Sequence, residues 1–562
     1  MHPSGVGSMV STGIKIWSVT LDAPVFGVYI EPHGSTITAV TESGSLYALS
    51  RDGKVLWREA LTGPPVAFAS SGDGSHVAVA TKDRRLHMYE STGRRLWRMR
   101  LKSDIHDIAL STTGAIITVG TESGSAYLID KTGKVDWSYR TNGPVKAARV
   151  CKKGTYIGVG SEDHTVTFLN SRGQQVWKYT TQGGIQLISM DANGDYILAC
   201  AADRRVYLFN RNGALLWNPR NPEAATVADM SDNANTIVLS SGRELLMFGK
   251  EGGLLRRIPV DGYILSAAVS INGEYGALGS GDDAVYFFTV RGDLLWNFKT
   301  SGEVKGVSIT QDGELVVAGS ADKNVYMLDN AMFFKKIVGS VKKKILDMKT
   351  SGINTLEAEV LLHKSEQDLK RKEYLSCSHY TKSAEKIALR LMDKAKPEIS
   401  MLAVVYSSFA PDRPNKVNAI LMNTGSSVAK NIRLLTKGQV ELAGDTEVDE
   451  LRVNAFVEIS FYLTPRASGT FPVKMEIHYK DFSGREHVSE GITHISADAT
   501  PQKYQKSKPV MEIGNIPKLV NKVKKAKKRG AVPAQQATTC PKCGRPVQSS
   551  WAGCPYCLTK LR

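Results

Sequence analysis

The stretch KTGKVDWSYR, residues 131–140, decides the fold, because near-copies of it return along the chain: RDGKVLWREA at 51–60, STGRRLWRMR at 91–100, SRGQQVWKYT at 171–180 and RNGALLWNPR at 211–220. The tryptophans stand at Trp17, Trp57, Trp97, Trp137, Trp177 and Trp217, each 40 residues after the last. The next position in register is Arg257, and the series resumes one residue short at Trp296. A glycine precedes each position by four, the seventh and eighth being Gly253 and Gly292. Ten residues before each later anchor stands Tyr47, His87, Tyr127, Thr167, Tyr207, Met247 or Tyr286, and Tyr326 extends this ladder with no tryptophan after it. A period near 40 residues is the mark of a repeat architecture.

Between glycine turns each unit carries three short apolar runs, as in IHDIALS, AIITVGT and SAYLID at 105–130. They are β-branched and aromatic, and Gly, Ser, Asp and Thr separate them, which is the chemistry of strands. Four strands per unit, repeated radially, make a β-propeller. The last set, VKGVSIT, LVVAGS and VYMLD, lacks a fourth strand, and the first tryptophan strand, IKIWSV, lacks a set before it. Pairing the two closes the ring and leaves no open edge. The expectation is an eight-bladed propeller over residues 10–330.

STGRRLW, KTGKVDW, RDGKVLW and NGALLW resemble the tryptophan-docking repeat of quinoprotein-like (PQQ-like) propellers. The resemblance implies that each indole packs between neighbouring blades. In the quinone-dependent enzymes it would also imply a calcium cage and a disulfide of adjacent cysteines. This chain has no adjacent cysteines, and its propeller region holds only Cys151 and Cys200. The WD-type alternative lacks its Trp-Asp dipeptide: Ser, Arg, Lys or Asn follows each of these tryptophans. The reading is a quinoprotein-like shape without the quinone.

No run of 18 or more apolar residues appears, so no transmembrane helix is expected. MHPSGVGSMVSTG has neither a basic start nor an apolar stretch, which leads to the expectation of a cytoplasmic protein. Seven cysteines, four of them near the C-terminus, do not form a disulfide framework. Cys151, Cys200 and Cys377 read as buried or inert thiols. The net charge of +17 is uneven: Pro501–Arg562 carries 14 Lys and Arg against Glu512 alone, which leaves +4 for the first 500 residues. The propeller is therefore no basic clamp by net charge, although a local patch remains open.

Asp83, Asp163, Asp203, Asp282 and Asp322 recur between second and third strands. They would either ring one face with acid or bond their own tight turns, and turn chemistry is the reading preferred. His87 and His106 read as structural. No nucleophile with its base and no paired carboxylates stand out.

Residues 331–397 change period. Phe334, Ile337, Val338, Val341 and Ile345 form one helical face, with the lysines off it and Gly339 as a weak point. Two further helices follow, marked by Leu356, Val360, Leu361, Leu362 and Leu369, then by Tyr380, Ala384, Ile387, Ala388 and Leu391. Their break is expected near Lys372–Ser378, and Pro397 ends the second. The pair resembles one tetratricopeptide-type hairpin, too little for a binding solenoid. Residues 398–498 return to about seven alternating runs, expected as an antiparallel sandwich resembling immunoglobulin-like modules in architecture only.

Residues 499–537 read as a basic flexible linker. Within it Ile516, Leu519, Val520 and Val523 form a stripe before Lys524, Lys525, Lys527, Lys528 and Arg529. Such a run solvates a linker, binds nucleic acid, or binds an anionic membrane surface. Residues 538–562 hold the strongest chemical motif: Cys540, Cys543, Cys554 and Cys557 in a C-x2-C-x10-C-x2-C arrangement. Two knuckles can each offer two thiolates to one tetrahedral Zn²⁺, a closed and therefore structural site resembling a short zinc ribbon.

The sequence thus leads to a non-enzymatic scaffold that binds protein partners through the propeller. The first alternative is a nucleic-acid-associated factor using tail and ribbon, and the second a quinoprotein-related propeller enzyme. A propeller fold hosts all three.

Overall fold

The computed structural model describes residues 11–271, 273–500, 503–521, 538–539 and 546–547. It divides into two compact units, Met1–Phe333 and Phe334–Arg562.

The first unit is built from antiparallel sheets of four strands taken in chain order. A representative sheet runs Ile105–Leu110, Ile116–Thr121, Ser125–Asp130 and Val135–Arg140. Among the described residues this unit contains eight sheets on this plan, one extended by a fifth, parallel strand and one taking its outer strand from Lys15–Thr20. Their first strands touch one another in sequence, and the last of these, Val304–Ile309, touches the first, Val25–Ile30. Across that seam the Ile30 amide donates to Ser308 Oγ at 3.1 Å. The arrangement is propeller-like and mainly β.

The tryptophan–glycine period now has its physical cause. Six of the indoles, all but Trp296, lie on the glycine turn of the following sheet and donate their Nε1–H to a backbone carbonyl there. Trp97 reaches Lys131 O at 2.9 Å and Trp137 reaches Ser171 O at 3.0 Å. Gly133 is required twice over. Its φ is +89°, and a Cβ there would stand 3.0 Å from the Trp97 ring.

The expected closure of the last sheet is present. Lys15–Thr20 pairs antiparallel with Asn324–Asp329, placing Trp17 opposite Met327 and Thr20 opposite Asn324. A short segment, Ser11–Thr12, continues outward and pairs parallel with the outer edge of Leu294–Lys299. Gly13 N donates to Asn297 O at 2.9 Å there. Trp296 beneath it is fully buried, whereas the other six repeat tryptophans are half-buried.

The expected anchor Arg257 requires correction. Gly252, not Gly253, takes the left-handed turn, at φ +83°, and receives Trp217. The missing residue therefore falls before the turn. Arg256 is what lies on Gly292, and its Nε donates to Arg291 O at 2.7 Å in the indole's manner. Arg257 is an exposed partner of Glu244 at 3.1 Å. Arg256→Trp is expected to be neutral or to stabilise by ~1 kcal/mol through restored apolar contact. Arg257→Ala should change stability by less than ~1 kcal/mol, as exposed ion pairs do. Chemical denaturation of the two variants checks the register.

Helix α1 spans Asn330–Thr350 without a break at Gly339. Asp329 accepts the Met332 amide at 2.9 Å at its start. Phe334, Val338, Val341, Ile345 and Met348 are buried, and the lysines are exposed, as the period requires. Helices α2 (Leu356–Lys370) and α3 (Tyr374–Lys394) form the hairpin. Its turn is tighter than expected, and Lys372 takes φ +61° in it. The buried face of α3 also differs. It is Tyr374, Cys377, Thr381, Ala384 and Ala388, while Tyr380, Ile387 and Leu391 are only half-buried. Small polar residues line this seam because they satisfy one another: Ser365 Oγ lies 2.5 Å from Thr381 Oγ1 and donates to Cys377 O at 3.0 Å.

The remaining strands form two sheets around one core. Four strands lie in one sheet, with Val473, Met475 and Ile477 buried. Five lie in the other, with Met401, Val417, Ala419 and Phe461 buried. The fifth is Lys503–Ile513, which pairs with Ile399–Ser407. The segment expected to be linker thus begins as a core strand, because Met511 and Ile513 alternate into the core. After it, Leu519 is buried against Met422, and Val520 packs beside it.

Candidate functional site

The first strands of all eight sheets run side by side around an axis, and at the ends that lead into their second strands they line one open cavity of about 460 Å³. Its wall mixes polar and apolar groups, the apolar ones including Ile30, Phe68, Leu110, Val150, Met190 and Val307. Three charged residues join that wall: Arg149, Lys152 and Asp229.

Each charge is held by its neighbours. Arg149 pairs with Asp107 at 3.2 Å, and Asp107 also accepts the Ala148 amide at 2.9 Å. Burial raises the Asp107 carboxyl above the ordinary carboxylate range, and Arg149 pulls it back. Asp229 accepts the Val269 amide at 3.0 Å and is likewise raised by burial, against the backbone donors Met230 and Val269. Lys152 pairs with Asp232 at 2.6 Å. Asp107 and Asp229 therefore each tie the first strand of one sheet to that of the next, while Arg149 remains partly exposed in the mouth. A concave mouth lined by apolar side chains together with fixed polar groups suits an inserted side chain or chain segment.

The opposite ends of the first strands carry a different set. Lys146 lies 3.5 Å from Glu122, 3.3 Å from Glu162 and 3.2 Å from His106, which itself bonds Glu122. Its acids and bases are mutually paired.

The recurrent turn aspartates behave as turn residues. Asp163 accepts the Thr165 amide at 3.1 Å and the Asn142 amide at 2.9 Å. Asp322 accepts the Asn324 amide at 2.9 Å and the Tyr326 hydroxyl at 2.5 Å. Asp83 is partly desolvated, yet donors from Thr81, Thr62 and Arg85 hold its pKa down to about 2. Asp203 accepts the Arg205 amide at 3.1 Å, and Asp282 takes the Tyr286 hydroxyl at 2.5 Å. No open acidic ring results from these five. His87 is buried beside Thr62, and burial pulls its pKa down to about 4, so the ring is neutral near pH 7. Cys151, Cys200 and Cys377 are free and buried, and burial pushes the Cys200 thiol up to about 12.

Cys540, Cys543, Cys554 and Cys557 lie outside the described residues, as do Val523, Lys524, Lys525, Lys527, Lys528 and Arg529. Thr538–Thr539 pairs antiparallel with Pro546–Val547. Among the described residues no group of three or more His, Cys, Asp or Glu is placed to hold a metal, and no helix is long and apolar enough to cross a membrane.

Sequence reading missed Arg149 and Asp229, although a signal exists. They stand in the 40-residue row Ala69, Ala109, Arg149, Ser189, Asp229, where the other members are small.

Residues 184–360 match a family of unknown function, DUF5711. Residues 63–152 match a family described as outer membrane protein assembly factor BamB, a PQQ-type repeat model. No curated protein sequence matches. Among solved structures, Chaetomium thermophilum Sqt1 bound to the N-terminus of a ribosomal protein superposes with TM-score 0.50 at 16% identity, covering 56% of this chain and 100% of that one. The computationally designed Ika8 protein superposes with TM-score 0.51 at 18% identity, covering 56% and 100%. BamB from Moraxella catarrhalis gives TM-score 0.46 at 18% identity, covering 57% and 100%. The first two likenesses show a propeller-like fold for the first unit.

Proposed function

We propose that this chain is a non-enzymatic scaffold whose eight sheets are the blades of one closed propeller, and that the axial mouth receives a segment of a protein partner. The observation that carries the reading is the mouth itself, a bowl of mixed polar and apolar lining to which all eight first strands contribute and in which Arg149 stays partly exposed. In this reading the protein works in the cytoplasm, and its second unit spaces or docks. That a similar propeller, Sqt1, was crystallised with the N-terminus of a ribosomal protein supports a peptide-binding use of such a fold.

Affinity capture with the full chain tests it, comparing wild type with a mouth variant, Ile271→Glu, with and without nuclease. A partner protein retained after nuclease and lost with Ile271→Glu is expected. Loss of all bound protein on nuclease treatment would favour the second reading, a nucleic-acid-associated factor. One observation bears on that second reading. Leu519 and Val520 pack on the sheet beside Met422, so part of the apolar stripe is used within the protein. The lysines after it would then act by charge on a polyanion rather than by insertion into a membrane.

We also assign one structural Zn²⁺ to Cys540, Cys543, Cys554 and Cys557, because four thiolates at this spacing fill a tetrahedral shell. A ribbon of roughly 20 residues has almost no core and draws its folding energy from the metal. Metal analysis of protein purified under reducing conditions should find one equivalent. A chelator should leave the propeller's melting transition in place. Protein free of zinc and iron would contradict the assignment.

A further inference from the structure

A strongly cationic strand forms the outer rim of the second sheet: Arg95–Arg100, RLWRMR. Residues 82–104 carry eight Lys and Arg against three acids. Each acid is already engaged: Asp83 with Arg85, Glu90 with Arg94, and Asp104 with Arg84. Arg95, Arg98 and Arg100 are exposed and form no ion pair among the described residues. Among the described residues no other outer strand of the first unit carries three cations: KIWSVT, VLWREA, VDWSYR, QVWKYT and LLWNFK have one each, LLRRIP two and LLW none.

This strand is also the terminal one of its sheet, and among the described residues nothing pairs with its far edge. The chain itself shows what such an edge accepts. At the equivalent edge of Leu294–Lys299, Ser11–Thr12 adds as a parallel strand, with Ser11 opposite Trp296 and Thr12 opposite Asn297. Gly13 N takes up the outward carbonyl of Asn297. Asn297 follows its tryptophan as Arg98 follows Trp97, so the repeat places the Arg98 backbone at the matching outward position.

We propose that the edge of Arg95–Arg100 receives an extended acidic peptide of a partner protein by strand addition. Main-chain hydrogen bonds supply the register, and alternate acidic side chains meet Arg98 and Arg100, which share one face of the strand. Edge charges also discourage self-pairing of strands. Three cations without an acid do so while selecting an anionic strand. The proposal goes beyond the scaffold reading above and concerns a different place, so either can fail alone.

The test uses the full chain and a labelled short peptide alternating Glu and Val, with a control of the same composition whose glutamates form one block. The alternating peptide should bind about tenfold more tightly than the block, and Arg98→Glu with Arg100→Glu should abolish the difference. Hydrogen exchange should show protection at residues 95–100 on binding. The mouth variant Ile271→Glu should bind this peptide as wild type does. Equal binding of both peptides, or protection elsewhere, would overturn strand addition. Single-stranded RNA or DNA that displaces the peptide and protects the same residues at lower concentration would show that the rim serves nucleic acid instead.

Discussion

Deletion of residues 1–22 is expected to expose a strand edge and make the protein aggregate. The deletion removes Lys15–Thr20, the outer strand of the last sheet, and leaves Asn324–Asp329 as an unpaired edge. It also removes Leu21 from a fully packed cluster that includes Val325 and Met327, and takes away Trp17 and Val19, which pack against that cluster. The indole's bond to Arg51 O at 2.8 Å, which ties the last sheet to the first, goes with them. Loss of one buried leucine alone costs about 2–5 kcal/mol, and the combined loss of at least ~5 kcal/mol reaches the lower end of a whole domain's stability. Light scattering during size-exclusion chromatography, with a melting curve, checks it. A truncated chain that stays monomeric with unchanged melting would mean that this strand does not close the ring.

The second large effect is expected at Trp296. This indole is fully buried, stacks on Phe287 at 5.2 Å between centroids, and meets Phe333 at 6.3 Å. Its Nε1 donates to Asn330 Oδ1 at 2.7 Å, and Asn330 Nδ2 in turn donates to Gly313 O. Trp296→Ala should cost about 3–5 kcal/mol for the cavity, and more for a buried amide left without its donor. Trp137→Ala removes a half-buried indole bonded to a single carbonyl and should cost roughly half as much. Denaturant unfolding of both variants measures the difference. Equal losses would show that the added edge strand and the start of α1 contribute nothing to the Trp296 site.

These two residues also show why the repeat could be read from sequence. Six of the junctions, that of Trp137 among them, are specified by two residues, an indole and the glycine that only fits beneath it, so period and partner appear together. The register was legible wherever both occur, and the strand that closes the last sheet followed from counting. It failed at GKEGGLLRRIP, residues 249–259, where two glycines and two arginines are adjacent. There only the positive φ at Gly252 decides which pair docks. The hairpin failed differently. Apolar periodicity pointed to Tyr380, Ile387 and Leu391, whereas the seam is built from Ser365, Cys377 and Thr381, whose hydroxyls and thiol satisfy one another. Charge concealed Lys503–Ile513, since its lysines outweigh the short alternation of Met511 and Ile513 that buries it. The mouth was the least legible part. Arg149 and Asp229 are ordinary surface types, and only their position on first strands, turned toward the axis, makes them members of a site.

The proposed scaffold role depends on that mouth taking up protein. Site-specific photo-cross-linking from Thr112, which lines the mouth, compared with cross-linking from Ser138 on an outer strand, tests this most directly. The account predicts a discrete protein adduct from Thr112 that persists after nuclease treatment and is absent from Ser138. An adduct that disappears with nuclease, or equal labelling from both positions, would contradict it.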